Sequence, residues 1–420
     1  MERGYRRAAR HSADSGDVMA LEKPGQRIAR ARRRRGLSQA VLAGLVGRSE
    51  SWLSQVERGR RSIDSHAVLT RLAEVLQIDI EQITTPGADG EDGQHAYPAA
   101  ALIEQAMMRY GSLGASADPE PEPGHQMGHL RAMARSAYQG YQATRYEATG
   151  HLLPGLIRGV ETASRAGSAG WPPVCQVRAL VYDTAAALLN RVGEPSLAWT
   201  AADRAMSAAE YSGEPLLAAL AAWRLSYIIT SRKHPREALD LAMAAAGTLE
   251  HAIRSPSPEQ LSVYGALHLA AVTAAAAGYD RTTTAVLLEK ARSIADRTGE
   301  ANHMGTAFGP VNVAIHAIAA HLQLGDARAA AETGEALNIT AIPASLVGRR
   351  TQVSLDLARA YAIRRQDAAA VNLLLAAERL SPELVRYDRR THEVLAELLR
   401  REHRPSTPEL RPLAHRTGVI

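Results

Sequence analysis

Gly36-Leu-Ser-Gln-Ala-Val-Leu-Ala-Gly-Leu-Val-Gly-Arg-Ser-Glu-Ser-Trp-Leu-Ser-Gln-Val-Glu-Arg-Gly59 sets two short helices and a turn into twenty-four residues. Ser38 has the side chain to cap a helix running to about Val46, and Gly47 permits a left-handed turn residue. Ser49 then caps a second helix to about Arg58, and Gly59 closes it. Ala43, Val46, Leu53 and Val56 are spaced to meet where two helices cross steeply around such a turn. The spacing predicts a compact bundle of small helices from Pro24 to about Thr84, with Leu69, Leu72 and Leu76 adding to its core.

Charge singles out the same end of the chain. Residues 1–80 carry 16 Lys/Arg and 9 Asp/Glu, while residues 81–420 carry 33 and 35. The whole formal excess of +5 therefore sits where a polyanion would feel it. Arginine outnumbers lysine 46 to 3, an imbalance that GC-rich coding produces by itself, so position along the chain says more than arginine abundance. One cysteine, Cys175, excludes disulfide scaffolds and zinc sites built on paired cysteines, and its apolar neighbours suit packing. Apolar stretches such as Leu269 to Gly278 are too short to span a bilayer, and residues 1–20 lack the apolar core of a secretory signal. The reading is a cytoplasmic protein with no membrane association.

The chain divides into five parts. Residues 1–22 form a basic, disordered arm, within which Met19 is a candidate start. Residues 23–84 form the small helical head, and 85–124 a linker rich in turn formers. That linker holds Asp118-Pro-Glu-Pro-Glu-Pro-Gly124 and one isolated helix at about Pro98 to Tyr110. Residues 125–404 are alanine- and leucine-rich at helical spacing, with no strand-like alternation, and 405–420 are a tail. Within the long segment, breaks recur at Gly193-Glu-Pro, Lys233-His-Pro, Gly278-Tyr-Asp, Gly325-Asp and Gln366-Asp. Their spacing of about forty to forty-seven residues is that of stacked helical hairpins. The fold class is all-α, a five-helix head followed by an α-solenoid.

The head resembles the Cro/C1-type, or XRE, family of helix-turn-helix regulators. The family pattern is matched in register by Ser38, Gln39, Leu42, Ala43, Gly47, Ser49, Leu53, Ser54, Val56, Glu57 and Gly59. The resemblance implies fourth and fifth helices at Ser65–Gln77 and Asp79–Ile83, and a positioning ion pair between Arg32 and Glu57. It also implies that the second helix of the motif enters the major groove of double-stranded DNA. Side-chain chemistry then distributes the contacts. Gln39 begins a helix, where amide donors hold a phosphate. Ser49, Glu50, Ser51 and Gln55 face outward for base edges, Glu50 as an acceptor for a cytosine amino group. Arg58, Arg60 and Arg61, with Lys23, Arg27 and Arg30, reach the backbone. Arg48 stands where the family has an apolar anchor, which frees it for phosphate. Trp52 reads as packing at the rim of the core.

The long segment resembles tetratricopeptide-like domains, in particular those fused to such heads in regulators of high-GC Gram-positive bacteria. The resemblance implies a sensor. Trp223 with Tyr227, Tyr264 with His268, and Phe308 with Asn312 and His316 lie at helical spacing in successive units. Together they are candidates to converge on an inner face and hold a peptide or small-molecule effector. For each alone, ordinary packing is the competing reading.

Catalytic patterns are missing: His392-Glu393 lacks the second histidine of a metalloprotease helix, and neither a phosphate loop nor a nucleophile elbow occurs. No cofactor and no metal are expected. The sequence reading is therefore a homodimeric, sequence-specific transcription regulator rather than an enzyme. The alternative is an interaction scaffold that binds a protein partner and is tethered to DNA by its head.

Overall fold

A computed structural model describes residues 24–35, 37–63, 66–76, 97–109, 123–166, 172–252 and 256–420. Among these residues there are twenty α-helices, two short 3-10 turns and no strand. The chain separates into two compact units, residues 1–96 and 97–419. The expected arm at 1–22, Lys23, the fifth helix at Asp79–Ile83 and positions 118–122 of the Pro-rich stretch lie outside the described residues.

The head contains α1 (Pro24–Arg34), α2 (Gln39–Leu45), α3 (Glu50–Glu57) and α4 (His66–Leu76). Both serine caps form. Ser38 Oγ accepts from Val41 N at 3.1 Å, and Ser49 Oγ accepts from Trp52 N at 3.2 Å, answering amide donors that the first turn leaves open. Gly47, at φ +64°, turns the chain between α2 and α3. Ile28, Leu42, Leu53 and Leu72 are completely buried, with Ala43, Val46, Val56 and Leu76 around them. Each such leucine contributes roughly 2 kcal/mol of transfer free energy to a unit too small to spare one.

The second unit starts with α5 (Ala100–Met107) and continues as six helical hairpins. These are α6 (Pro123–Gln142) with α7 (Tyr146–Ala166), α8 (Pro172–Arg191) with α9 (Pro195–Tyr211), and α10 (Pro215–Ser231) with α11 (Pro235–Ala252). Then come α12 (Pro258–Ala277) with α13 (Arg281–Thr298), α14 (Pro310–Gln323) with α15 (Ala327–Glu335), and α16 (Val347–Ile363) with α17 (Asp367–Leu380). The helices α18 (Pro382–Tyr387), α19 (Arg389–Arg400) and α20 (Leu410–Thr417) complete it.

One device repeats at all six hairpin turns. Thr144, Gly193, Lys233, Tyr279, Gly325 and Arg365 each take a positive φ, from 58° to 88°. The amide of the next residue reaches back five positions to the helix before it, as in Glu194 N to Leu189 O at 2.8 Å and Asp280 N to Ala275 O at 3.0 Å. This left-handed closure satisfies carbonyls that the helix end leaves open. Proline at the first position of α9, α10, α12 and α14 starts the next helix with φ already set.

The first helices of the hairpins pack in succession, α6 on α8, α8 on α10, α10 on α12, α12 on α14 and α14 on α16, and α16 returns to α6. The row therefore closes. Tyr138 Oη and Gln142 Nε2, both on α6, donate to the carbonyl of Gly305 at 2.7 and 2.9 Å. On the outer side, Ser381 Oγ donates to Thr144 Oγ1 at 2.7 Å and Glu147 N to Glu383 Oε2 at 2.8 Å, joining α7 to the end of the array.

Two boundaries expected from sequence need correction. The body begins at Tyr97, not His125. The helix expected to stand alone in the linker packs on α7 through fully buried Ile103, and the Tyr97 hydroxyl donates to the carbonyl of Tyr146. Residues 405–420 are not a loose tail, because α20 buries Leu410, Leu413 and Ala414 and its Arg416 pairs with Glu378 at 2.7 Å. Both segments are short: Ala100–Met107 is largely apolar but lies between turn-rich stretches, and the last helix is polar outside Leu410, Leu413 and Ala414. The helix α12 is long and apolar enough to cross a membrane, but most of its surface is buried within the body.

Candidate DNA interface and body interior

The head presents α3 with one face in its core and the other free. Leu53, Val56 and Glu57 are buried, whereas Ser49, Glu50, Ser51 and Gln55 are exposed along one edge. Arg48 is exposed, its guanidinium 5.7 Å from the centre of the half-buried Trp52 ring. Arg58 is exposed at the other end of the helix and bonds back to Ser54, Nη2 to Oγ at 2.8 Å. Exposed Arg60 and Arg61 follow. Exposed hydroxyl, carboxylate and amide groups lie flanked by guanidiniums at both ends of a short rod, an arrangement suited to phosphate contact at the ends and base contact between.

Behind this face lies a polar clamp. Arg32 Nε donates to Glu57 Oε1 at 2.7 Å and its Nη2 to Oε2 at 3.0 Å, while Nη1 donates to the Leu37 carbonyl at 2.8 Å. Gln39 Nε2 also donates to Glu57 Oε2, at 2.6 Å. The ion pair holds the Arg32 guanidinium above its ordinary pKa, first through the hydrogen bond to Glu57. Gln39 was expected at phosphate, yet its amide is drawn to the carboxylate that anchors α3. Arg27 departs further from its expected place, because it is buried at 2 % exposure against the core rather than spread on the surface. Arg30 lies on α1.

In the body, the seven residues proposed to share an inner face separate into two groups and one spacer. Trp223 and Tyr227 on α10 stack edge to face, ring centres 5.8 Å apart, and Tyr227 reaches His316 on α14 at 2.8 Å. His316 Nδ1 lies 2.8 Å from the Asn312 carbonyl, which can only accept, so Nδ1 carries the proton and Nε2 accepts from the Tyr227 hydroxyl. Burial drives the His316 pKa down to about 3, helped by the Arg349 guanidinium on α16. The imidazole is neutral at any ordinary pH.

Tyr264 and His268 do not join them. Their rings stack 4.6 Å apart, Lys290 of α13 lies over Tyr264 at 5.8 Å, and Glu250 of α11 bonds the Tyr264 hydroxyl. The pair thus faces the second helices of its neighbours, half a helical turn from Thr273, which bonds Tyr227 on the inner side. Phe308 is a spacer. It is fully buried and fills the room left by Gly265, where any Cβ would overlap the ring.

Sequence reasoning missed an inner polar network beside this cluster. Arg224 Nε donates to Asp183 Oδ1 at 3.0 Å, and the guanidinium carbon lies 4.5 Å from the Trp223 ring centre. Tyr138 and Tyr141 of α6 sit against the same guanidinium, and Arg191 meets Asp388 at 3.7 Å. Burial pushes the Tyr138 phenol up to about 12. Helical spacing alone could have found Asp183 and Arg224, each placed in an apolar run where a charge needs a partner.

Residues 25–84 match the family model described as a helix-turn-helix domain. The head is a helix-turn-helix domain. No curated protein matches the chain. Among solved structures, PlcR of Bacillus thuringiensis, crystallised in complex with the peptide PapR7 and DNA, aligns over 82 % of this chain and 98 % of its own. The identity is 14 % and the TM-score 0.31, a likeness too loose to assign a ligand to this body. In this helix-turn-helix head, α2 and α3 are the two helices of the motif, with Gly47 at the turn. Cys175 is buried on α8, as its apolar setting suggested.

Proposed function

We propose that the chain is a sequence-specific DNA-binding regulator of transcription. It acts as a homodimer in the cytoplasm, its body responding to an effector. The observation that carries this reading is the free edge of α3. Ser49, Glu50, Ser51 and Gln55 are exposed on a helix whose other face is locked into the head by Leu53, Val56 and the Arg32–Glu57 pair. A rigid helix with unspent hydrogen-bonding groups reads base edges, and Arg48, Arg58, Arg60 and Arg61 supply phosphate contacts. One small head makes few such contacts, so two heads on half-sites separated by about 34 Å account for useful affinity. In the body, the Trp223, Tyr227 and His316 cluster supports an effector site on the inner helices, because polar and aromatic groups are brought together there.

The test uses the purified full chain and oligonucleotides selected from a random pool. The expected outcome is a two-fold symmetric site whose affinity falls steeply with salt. A Ser51→Ala, Gln55→Ala variant keeps its helical circular dichroism and loses about 1–3 kcal/mol of discrimination for each contact removed. Selection that yields no preferred sequence, or a variant that binds the selected site like the parent, overturns the reading.

A further inference from the structure

The arginines of the head are held in different ways. Arg32 and Arg71 pair with Glu57 and Glu74, and Arg58 bonds back to Ser54. Each of these guanidiniums meets an oxygen of its own chain. Arg48 does not. Among the described residues no oxygen accepts from its guanidinium, which lies over the ring of Trp52 instead, its central carbon 5.7 Å from the ring centre. An aromatic face attracts a cation through its quadrupole but supplies no countercharge. The charge of Arg48 therefore remains available to an anion, whereas that of Arg32 is neutralised inside the head.

Both ends of this side chain are fixed. The Arg48 amide donates to the Ala43 carbonyl at 2.9 Å, and Gly47 before it sits at φ +64°, so the turn sets where the side chain begins. At the other end the half-buried Trp52 ring packs against the core of the head, and the Trp52 amide donates to Ser49 Oγ at 3.2 Å. A long, flexible side chain thus meets a surface anchored in the core. An arginine free in water loses rotamer freedom when it binds, and one already held at a ring loses less. Arg48 is exposed and directly precedes Ser49, so its charge stands at the same end of α3 as the exposed Ser49, Glu50 and Ser51.

We propose that Trp52 is a positioning residue for DNA binding, holding the Arg48 guanidinium in place for a backbone phosphate at the amino end of α3. Trp52 acts on the duplex through Arg48. A guanidinium with no countercharge of its own binds phosphate with release of counterions, which gives the contact a signature in salt. The proposal rests on the DNA-binding reading above and adds to it a residue whose ring would otherwise count as packing alone.

The test measures the affinity of the full chain for the selected oligonucleotide site across a series of salt concentrations. Arg48→Ala is expected to lower the slope of log affinity against log salt by about one, the loss of one phosphate contact. Trp52→Phe keeps a ring face beside the guanidinium and binds within about twofold of the parent. Trp52→Met keeps an apolar filler without a ring and binds about two- to fivefold more weakly. In the Arg48→Ala background the two Trp52 variants bind alike. A second measurement leaves the packing of the head nearly untouched. The full chain made with fluorinated tryptophan, whose ring face attracts a cation less, binds about twofold more weakly, and the difference vanishes with Arg48→Ala. An unchanged salt slope for Arg48→Ala, equal losses in Trp52→Phe and Trp52→Met, or a loss that persists without Arg48 overturns the proposal. A random pool that yields no preferred sequence sinks the DNA-binding reading and this proposal with it, whereas a site that every variant binds like the parent sinks the proposal alone.

Discussion

His316 shows how one buried side chain ties stability to pH. In the folded chain its imidazole is neutral, wedged between the Tyr227 hydroxyl of α10 and the Asn312 carbonyl of its own helix, with the Arg349 guanidinium of α16 opposing a second positive charge. Its pKa falls to about 3, below the roughly 6.5 of an unfolded histidine. Between those values the unfolded chain binds the proton and the folded chain does not, so stability is lost as pH falls below about 6.5. By pH 5 the loss is about 2 kcal/mol. Asp356 acts in the opposite sense, because burial lifts its carboxyl to about 6 and stability then declines as pH rises from the unfolded value toward that pH. Comparing His316→Gln with the parent isolates the first effect. Urea midpoints for the variant should depend less steeply on pH between 7 and 5, and parallel profiles would show that His316 is not held neutral. Helical spacing made Tyr227, Asn312 and His316 candidates for an inner face, and it made Tyr264 and His268 candidates on the same ground. It did not reveal that Tyr264 and His268 turn the other way. A residue pair at i and i+4 fixes a shared face, not which neighbour that face meets.

At the scale of the element, the hairpin period was legible because turn residues recur in the sequence, and Gly193 and Gly325 sit at the left-handed position itself. The same position is filled by Thr144, Lys233, Tyr279 and Arg365 at the other turns. This is why the first turn, between α6 and α7, left no mark in a search for glycine and proline. A side chain with a Cβ in that conformation costs roughly 1 kcal/mol, which tertiary packing offsets. Two substitutions of opposite sign follow from this single cause. Tyr279 is 72 % exposed, so Tyr279→Gly sheds little packing and should raise stability by about 0.5–1 kcal/mol. Gly325→Ala, with open space around its Cβ, should lower stability by about 1 kcal/mol through backbone conformation alone. Thermal unfolding of the two single variants checks both signs, and equal shifts in one direction would show that these turns are not governed by the left-handed residue.

For the whole molecule, the two units have separate cores and so separate reasons to fold. The head closes on Ile28, Leu42, Leu53 and Leu72, and the body on layers of alanine and leucine between hairpins. An open solenoid tolerates loss of an end because its terminal repeats touch one neighbour only. This body differs, since α6 returns to α16 and α7 meets α18, so what stands at its start also supports its finish. Tyr97 occupies that junction. It is buried at 2 % exposure, donates to the Tyr146 carbonyl and stands edge-on to Tyr387, ring centres 5.3 Å apart, while Gly150 leaves no room for a methyl beside it. A chain covering 97–420 should therefore unfold cooperatively without the head. A chain covering 125–420 exposes the surface vacated by Tyr97, Ile103 and Met107, and loses more than about 3 kcal/mol, the cost of emptying one large aromatic site. Urea denaturation of the two chains decides the point. Equal midpoints would mean that α5 merely rests on the body, and that its first structural residue lies at the proline-rich boundary the sequence suggested.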